Sequence, residues 1–388
     1  MAILGIVAEY DPFHMGHYRH LRESISAVNP SAVIVALSGV FKQRGEPAML
    51  SPFLRAECAV SAGADAVVAL PVLWTVRDAE HYALGAVSLL SALGATHLSF
   101  GAETADLALL SRTAELLDDP PSLFTETLRL LLSGGMGYPA AIAKAAGKCI
   151  PESEGLLGSS NNILAVCYLR AIRRLHSPLT PIVIPRSGSY RDELISPESP
   201  SASAVRDALY RGSWDSSLSA LPPFSADAVR SAFLNAETTD PRMYDALLLD
   251  RLRTMDAGSF SGLPDSTEGL DAALMNASSR ANSRNELISL LTSRRYSAAR
   301  INRLCTFALL GVTESLLKNE PLPNHVLLLA IKKNPYLTGS WKNSSVRVAS
   351  PAKWAGEASA ADLAAFRLWG LCSGHSGSFP FSQHIPSR

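Results

Sequence analysis

Two histidines three residues apart, His14 and His17, flank Gly16 where an apolar run gives way to a helical pattern. Residues at i and i+3 share one face of a helical turn, so both imidazoles can address one ligand. Gly16 has no side chain, which lets a phosphate or a base approach the backbone closely. The residues before them, Ile3 to Val7 (I-L-G-I-V), read as a buried strand. Glu9 to Phe13 read as a turn stiffened by Pro12, and His14 opens a helix that continues to about Val28. A strand that feeds a helix N-terminus through a tight turn builds an anion site, because unpaired N–H groups and the positive helix end converge there. Two imidazoles that can donate to phosphate oxygens suit an enzyme that holds ATP and stabilises the charge developing on departing pyrophosphate.

The elements around this site alternate. Ala32 to Leu37, Ala66 to Leu70, Thr96 to Phe100 and Pro181 to Ile184 read as further strands. Pro52 to Ser61, capped by Ser51, and Glu80 to Leu93 read as the helices between the first of them. Such alternation predicts a parallel sheet with crossover helices and ligands outside the carboxyl ends of its strands. The loops at those ends carry Glu9 to His17, Ser38 to Glu46, Pro71 to Asp78 and Gly101 to Glu103, so the polar motifs converge on one edge. Asp106 to Arg174 is helical in pattern, an insertion over about 106–175.

The first segment resembles the H-x-G-H signature of the nucleotidylyltransferase superfamily, whose members transfer adenylyl groups in a Rossmann-like domain. The longer run E-Y-D-P-F-H-M-G-H, with S-G-V-F-K-Q-R-G-E-P-A at Ser38 to Ala48 and F-G-A-E at Phe100 to Glu103, resembles a narrower family, the bacterial tRNA(Met) cytidine acetate ligases. The likeness is strong over roughly the first two hundred residues and looser beyond. It implies an α/β fold, a Rossmann-like parallel-sheet domain over 1–212 followed by a mainly helical region over 213–372 with possible tRNA binding.

By the same resemblance, His14 and His17 are the catalytic pair. The ATP site takes in Val7, Ala8, Glu9, Tyr10, Asp11, Pro12, Phe13, His14, Met15, Gly16, His17, Tyr18, Arg19 and His20. Gly101, one of Asn161 and Asn162, and Arg186 complete it. An asparagine amide at a helix start can recognise an adenine or ribose edge, or it can simply cap the helix. Ser160 stands where the family has proline, and Asp11 where it usually has asparagine. Ser201-Ala202-Ser203-Ala204-Val205-Arg206 resembles a degraded I-S-S-T-x-I-R phosphate grip, in which Ser201 and Ser203 keep hydroxyls and Ala202 loses one. A carboxylate at Asp11 beside ATP phosphates implies a neighbouring cation such as Mg²⁺. No metal-ligand set is legible in the residues themselves.

Composition bounds the rest. At 388 residues, 47% hydrophobic and 18% charged, the chain exceeds one typical domain and can bury a sizeable core. Its 35 basic and 35 acidic residues exclude a globally basic protein, so RNA contact needs a local patch. Such a patch is offered by Arg294, Arg295, Arg300 and Arg303 on a helical pattern, followed by Lys332, Lys333, Lys342, Arg347 and Lys353. Cys58, Cys149, Cys167, Cys305 and Cys372 lack paired spacing, which argues for a reducing cytoplasm and against a disulfide framework or zinc site. The acidic Glu9 and Asp11 near the start argue against a signal peptide, and no apolar run is long enough to span a bilayer. The Ser-, Gly- and Pro-rich stretch 373–388 reads as a poorly ordered tail.

The expected function is an ATP-dependent ligase that forms acetyl-AMP from acetate and acetylates N4 of the wobble cytidine of elongator tRNA(Met), with no protein partner. Two other readings stay open. One is a nucleotidylyltransferase that adenylylates a small phosphorylated metabolite; the other is a non-catalytic RNA-binding protein on the same fold.

Overall fold

Alternate residues of the central strands bury on opposite sides, and this dictates a sheet covered on both faces. In β2 (Ala32–Ser38), Val33, Val35 and Leu37 join one core while Ala32, Ile34 and Ala36 join the other. Leu4, Ile34 and Leu37 are fully buried, and each contributes about 1.5–3 kcal/mol of transfer free energy. The computed structural model describes residues 1–186, 200–341, 344–356, 358–375, 379–380 and 383.

With β1 (Ile3–Ala8), β2, β3 (Ala66–Leu70), β4 (His97–Ala102), β5 (Thr180–Pro185), β6 (His325–Ile331) and β7 (Arg347–Ala349), the sheet runs β5-β4-β1-β2-β3-β6-β7. The first five strands run parallel to one another, and β6 lies antiparallel to β3. The order reverses between β1 and β4. That is a topological switch point, where crossovers leave in opposite directions and open a crevice at the strand ends.

Expected strands and helices fall within a residue or two of the observed ones. Ser51 caps the helix Pro52–Ala62 by accepting from Phe53 N at 3.3 Å. Between β4 and β5 the chain forms helices, including Leu107–Asp118, Ser122–Ser133, Tyr138–Cys149 and Ser160–Arg174.

The sequence reading contains no strand after β5. The structure adds β6 and β7, so the helical region beyond residue 212 returns to the sheet and covers the β3 edge. An apolar run such as H-V-L-L-L-A-I does not name its partner; pairing with β3 is decided by long-range packing. Lys342 of the basic group lies outside the described residues. Within the stretch expected to be a tail, Phe379 is only 1% exposed, its ring 5.1 Å from Trp369 and 5.9 Å from Phe53. Of the stretch expected to be a tail, 376–378, 381–382 and 384–388 lie outside the described residues. No helix among the described residues is long and apolar enough to cross a membrane.

Candidate active site

The switch point holds a cavity of about 590 Å³, a size that suits a nucleotide. Val7, Ala8, Glu9 and Tyr10 line it from the end of β1, and His14, Gly16, His17, Arg19 and His20 from the helix Met15–Val28. Gly101, Asn161 and Arg186 line the β4–β5 side.

The two histidines lock one another. His14 is the N-cap, and its Nδ1 accepts from Gly16 N at 3.1 Å and His17 N at 3.4 Å. His17 Nδ1 accepts in return from His14 N at 3.3 Å, which closes a capping box. The rings stack with centroids 3.6 Å apart. An Nδ1 that accepts a backbone N–H cannot carry a proton, so the proton of His14 sits on Nε2. That Nε2 is buried with no hydrogen-bond partner among the described residues.

Burial, with Arg186 and Arg206 nearby, pushes the His14 pKa down to about 3. Burial, His14 and Arg186 also hold His17 well below its usual value, against a hydrogen bond to the Pro12 carbonyl. Both imidazoles are therefore held neutral, with the His14 proton on Nε2. Gly16 has a steric reason as well: a Cβ there would stand 3.0 Å from His14 Cε1.

The asparagine alternatives separate. Asn162 is 1% exposed, accepts from Thr104 N at 2.9 Å and donates to Thr104 Oγ1 at 3.2 Å, so it ties down the loop after β4. Asn161 lines the cavity, donates to Glu103 Oε1 at 2.6 Å and lies 3.5 Å from Arg186 Nη1 through its Oδ1. Glu103 also accepts from Asn162 N at 3.0 Å, so one carboxylate both caps the helix Ser160–Arg174 and aims the Asn161 amide.

Other expected residues support the cavity without lining it. Asp11 is fully buried, and its carboxylate accepts from Met49 N at 2.9 Å and Leu50 N at 3.0 Å. Both of its oxygens are thereby engaged by that loop. Arg206 donates to the Asp11 carbonyl at 2.6 Å. Pro12 belongs to the same turn, and Phe13 packs on Tyr10 and Phe224. Met15 N donates to the Ala220 carbonyl at 2.9 Å, and Tyr18 packs near Phe224. Ser201 caps the helix Ala202–Tyr210 by accepting from Ala204 N, with the Ser203 hydroxyl 3.3 Å away. Pro200 and Ala202, rather than those serines, line the cavity.

A residue sequence reasoning passed over is Arg55, 1% exposed on the helix Pro52–Ala62. Its guanidinium donates to the Glu9 carbonyl at 2.6 Å, the Ser38 carbonyl at 3.0 Å, the Leu50 carbonyl at 3.1 Å and the Gly39 carbonyl. It clamps the ends of β1 and β2 together. A lone arginine among small apolar residues on a helix face was the available signal. Phe100 and Tyr168, with ring centroids 5.6 Å apart, add an aromatic wall to the cavity.

The HIGH Nucleotidyl Transferase family model matches residues 1–372. The tRNA(Met) cytidine acetate ligase of Clostridium perfringens (strain ATCC 13124) is 36% identical over 364 residues, covering 90% of this chain and 89% of its own. That of Kosmotoga olearia is 35% identical over 346 residues, covering 86% and 81%. The chain belongs to the tRNA(Met) cytidine acetate ligase family. The crystal structure of Thermotoga maritima TmcAL in its apo form matches with a TM-score of 0.92 at 25% identity over 99% of both chains. The same protein bound with alpha-thio ATP matches with a TM-score of 0.90 at 25% identity, covering 100% of this chain and 99% of its own.

In this family member the C-terminal arginines divide into two kinds. Arg300 pairs with Asp265 at 3.3 Å and Glu268 at 3.3 Å, and Arg303 with Asp265 at 3.9 Å. Arg294 and Arg295 are exposed and form no ion pair among the described residues. The expected four-arginine patch is thus half neutralised by a loop of the same region.

Proposed function

We propose that this protein is an ATP-dependent ligase that acetylates N4 of the wobble cytidine of elongator tRNA(Met), working in the cytoplasm. An acetate oxygen attacks the α-phosphorus of ATP, the bond to the bridging oxygen breaks, and pyrophosphate leaves with that electron pair. The N4 amine then attacks the acetyl carbon, AMP departs, and the amine loses a proton. No covalent enzyme intermediate is required, and the five cysteines are free thiols with no part in it.

The observation that carries this reading is the locked, neutral histidine pair. His14 presents Nε2–H as a pre-oriented donor, and a donor fixed before the reaction stabilises phosphate charge without reorganising. Arg186 supplies a fixed positive charge beside it, and Asn161 an amide aimed by Glu103. Gly101 leaves room between His20 and Arg186, 3.9 Å from each for an added Cβ. Phe100 and Tyr168 offer the base an apolar face. The alpha-thio ATP held by the Thermotoga maritima protein supports the choice of nucleotide.

Mg²⁺ belongs to the proposal only as a counter-ion carried on ATP. The Asp11 carboxylate that suggested it is occupied by two backbone N–H groups. No cluster of three or more metal-ligating side chains occurs among the described residues.

The test is release of labelled pyrophosphate from ATP, with and without acetate, then with tRNA. Acetate-dependent turnover with acetate label entering tRNA is the expected result. Turnover indifferent to acetate and tRNA would replace it with adenylylation of a phosphorylated metabolite, and no turnover would leave an RNA-binding protein.

A further inference from the structure

The cavity is not walled by nucleotide-site segments alone. Pro139 lines it from the helix Tyr138–Cys149, Ser297 and Ala299 from the start of the helix Ala298–Leu310, Arg303 from its second turn, and Arg44 from the loop after β2. The first two segments, more than a hundred residues apart, touch: a Cβ on Gly137 would meet the Arg294 carbonyl at 3.0 Å. At that junction Tyr138 is 61% exposed, and Arg294 and Arg295 are exposed.

Size decides what this junction must do. A volume of about 590 Å³ accommodates ATP and little more than one base. An RNA substrate can therefore send in only its target base, extruded from the loop, and the rest of the loop stays at the mouth. Extrusion breaks the stack on both sides of that base. An unstacked neighbour regains about 1–3 kcal/mol on an aromatic face, and phosphates beside it find arginines.

Tyr138 supplies such a face beside Pro139. Arg294 and Arg295 supply positive charge that no carboxylate among the described residues neutralises, unlike Arg300 and Arg303. Leu130 and Leu132 are exposed on the preceding helix, but the exposed pair of cations beside the Tyr138 ring favours RNA over a protein partner.

We propose that Tyr138, Arg294 and Arg295 form the platform on which the unpaired loop of the RNA substrate docks while its target base enters the cavity, an inference that rests on the acetate ligase reading. Tyr138 stacks on a base next to the target, and the two arginines take loop phosphates.

The experiment uses the full chain and three variants: Tyr138→Ala, Tyr138→Phe and the double Arg294→Ala/Arg295→Ala. Acetate-dependent ATP–pyrophosphate exchange without RNA reads the nucleotide site, and transfer of labelled acetate to tRNA reads the platform. Exchange should be unchanged in all three. Tyr138→Ala should raise KM for tRNA on the order of tenfold, with Tyr138→Phe close to wild type. The double variant should reduce the slope of log affinity against log salt by roughly 1.4, two single-strand phosphate contacts.

Unchanged tRNA KM and salt slope beside an acetylating wild type would overturn the platform and leave the function reading standing. Loss of exchange in Tyr138→Ala would overturn it too, by placing the ring in the nucleotide site. A wild type that exchanges but never acetylates RNA would overturn both readings together.

Discussion

The Lys42 ammonium lies 2.7 Å from the Glu46 carboxylate inside the cavity wall, with Lys42 only 5% exposed. The loop between them closes through Lys42 N to the Glu46 carbonyl at 2.8 Å, so pair and loop form together. Lys42, with Arg284 and Arg206, holds the Glu46 carboxyl down at about 2.

Removing Glu46 leaves Lys42 buried without its counter-charge. Glu46→Gln should destabilise the protein by about 1–3 kcal/mol, less than a fully buried pair because water reaches the carboxylate. Since the folded pKa is depressed, the stability from Glu46 is present above about 4.5 and lost as pH falls toward about 2. Thermal melts of wild type and variant across that range should converge at the acid end.

The histidines give the pH profile of the ATP-free protein a second feature. His14 is held at about 3 and His20 at about 4, mainly by burial, against an ordinary value of 6.5. A depressed histidine pKa means the unfolded chain binds the proton first, so stability is full above about 6.5 and falls below it. Each buried histidine contributes about 1.4 kcal/mol of loss per pH unit in that window. Denaturant titrations at pH 7, 6 and 5 measure the slope, and a flat profile would refute buried neutral imidazoles.

His14→Ala should lower acetate-dependent pyrophosphate exchange by roughly 10²–10³-fold, the value of one fixed donor at a developing charge, and His17→Ala should lower it by unlocking that donor. Near-normal exchange in both would remove the pair from the chemistry.

The neighbouring asparagines should fail differently. Asn161→Ala should raise KM for ATP with little change in Tm, because its amide faces the cavity. Asn162→Ala should lower Tm with little change in that KM. It removes the hydrogen bond of the half-buried Thr104 N–H, at a cost of about 0.5–1.5 kcal/mol. The opposite pattern would exchange their roles.

Asp11→Asn should lower stability rather than ATP affinity. Each Asp11 carboxylate oxygen accepts one backbone N–H. An amide offers one acceptor and turns a donor toward the other N–H. Thermal melts and KM for ATP, measured on the same preparation, separate the two effects.

Local pattern and motif were enough for the parallel strands, the helix opened by His14 and the family. Strand and helix periodicities are short-range, and the H-x-G-H spacing lies within one turn. Tertiary packing decided what each polar side chain does. Asn161 and Asn162 are equivalent as sequence; only the loop at Thr104 turns one inward and leaves the other on the cavity. Asp11 reads as a phosphate neighbour until Met49 and Leu50 arrive with their N–H groups. Arg300 and Arg303 read as an RNA patch until Asp265 folds against them. The addition of β6 beside β3, the clamp by Arg55 and the meeting of Gly137 with Arg294 join segments far apart in the chain. Such contacts form because buried polar groups must find partners and apolar faces must be covered, and no local spacing encodes which distant residue will do so.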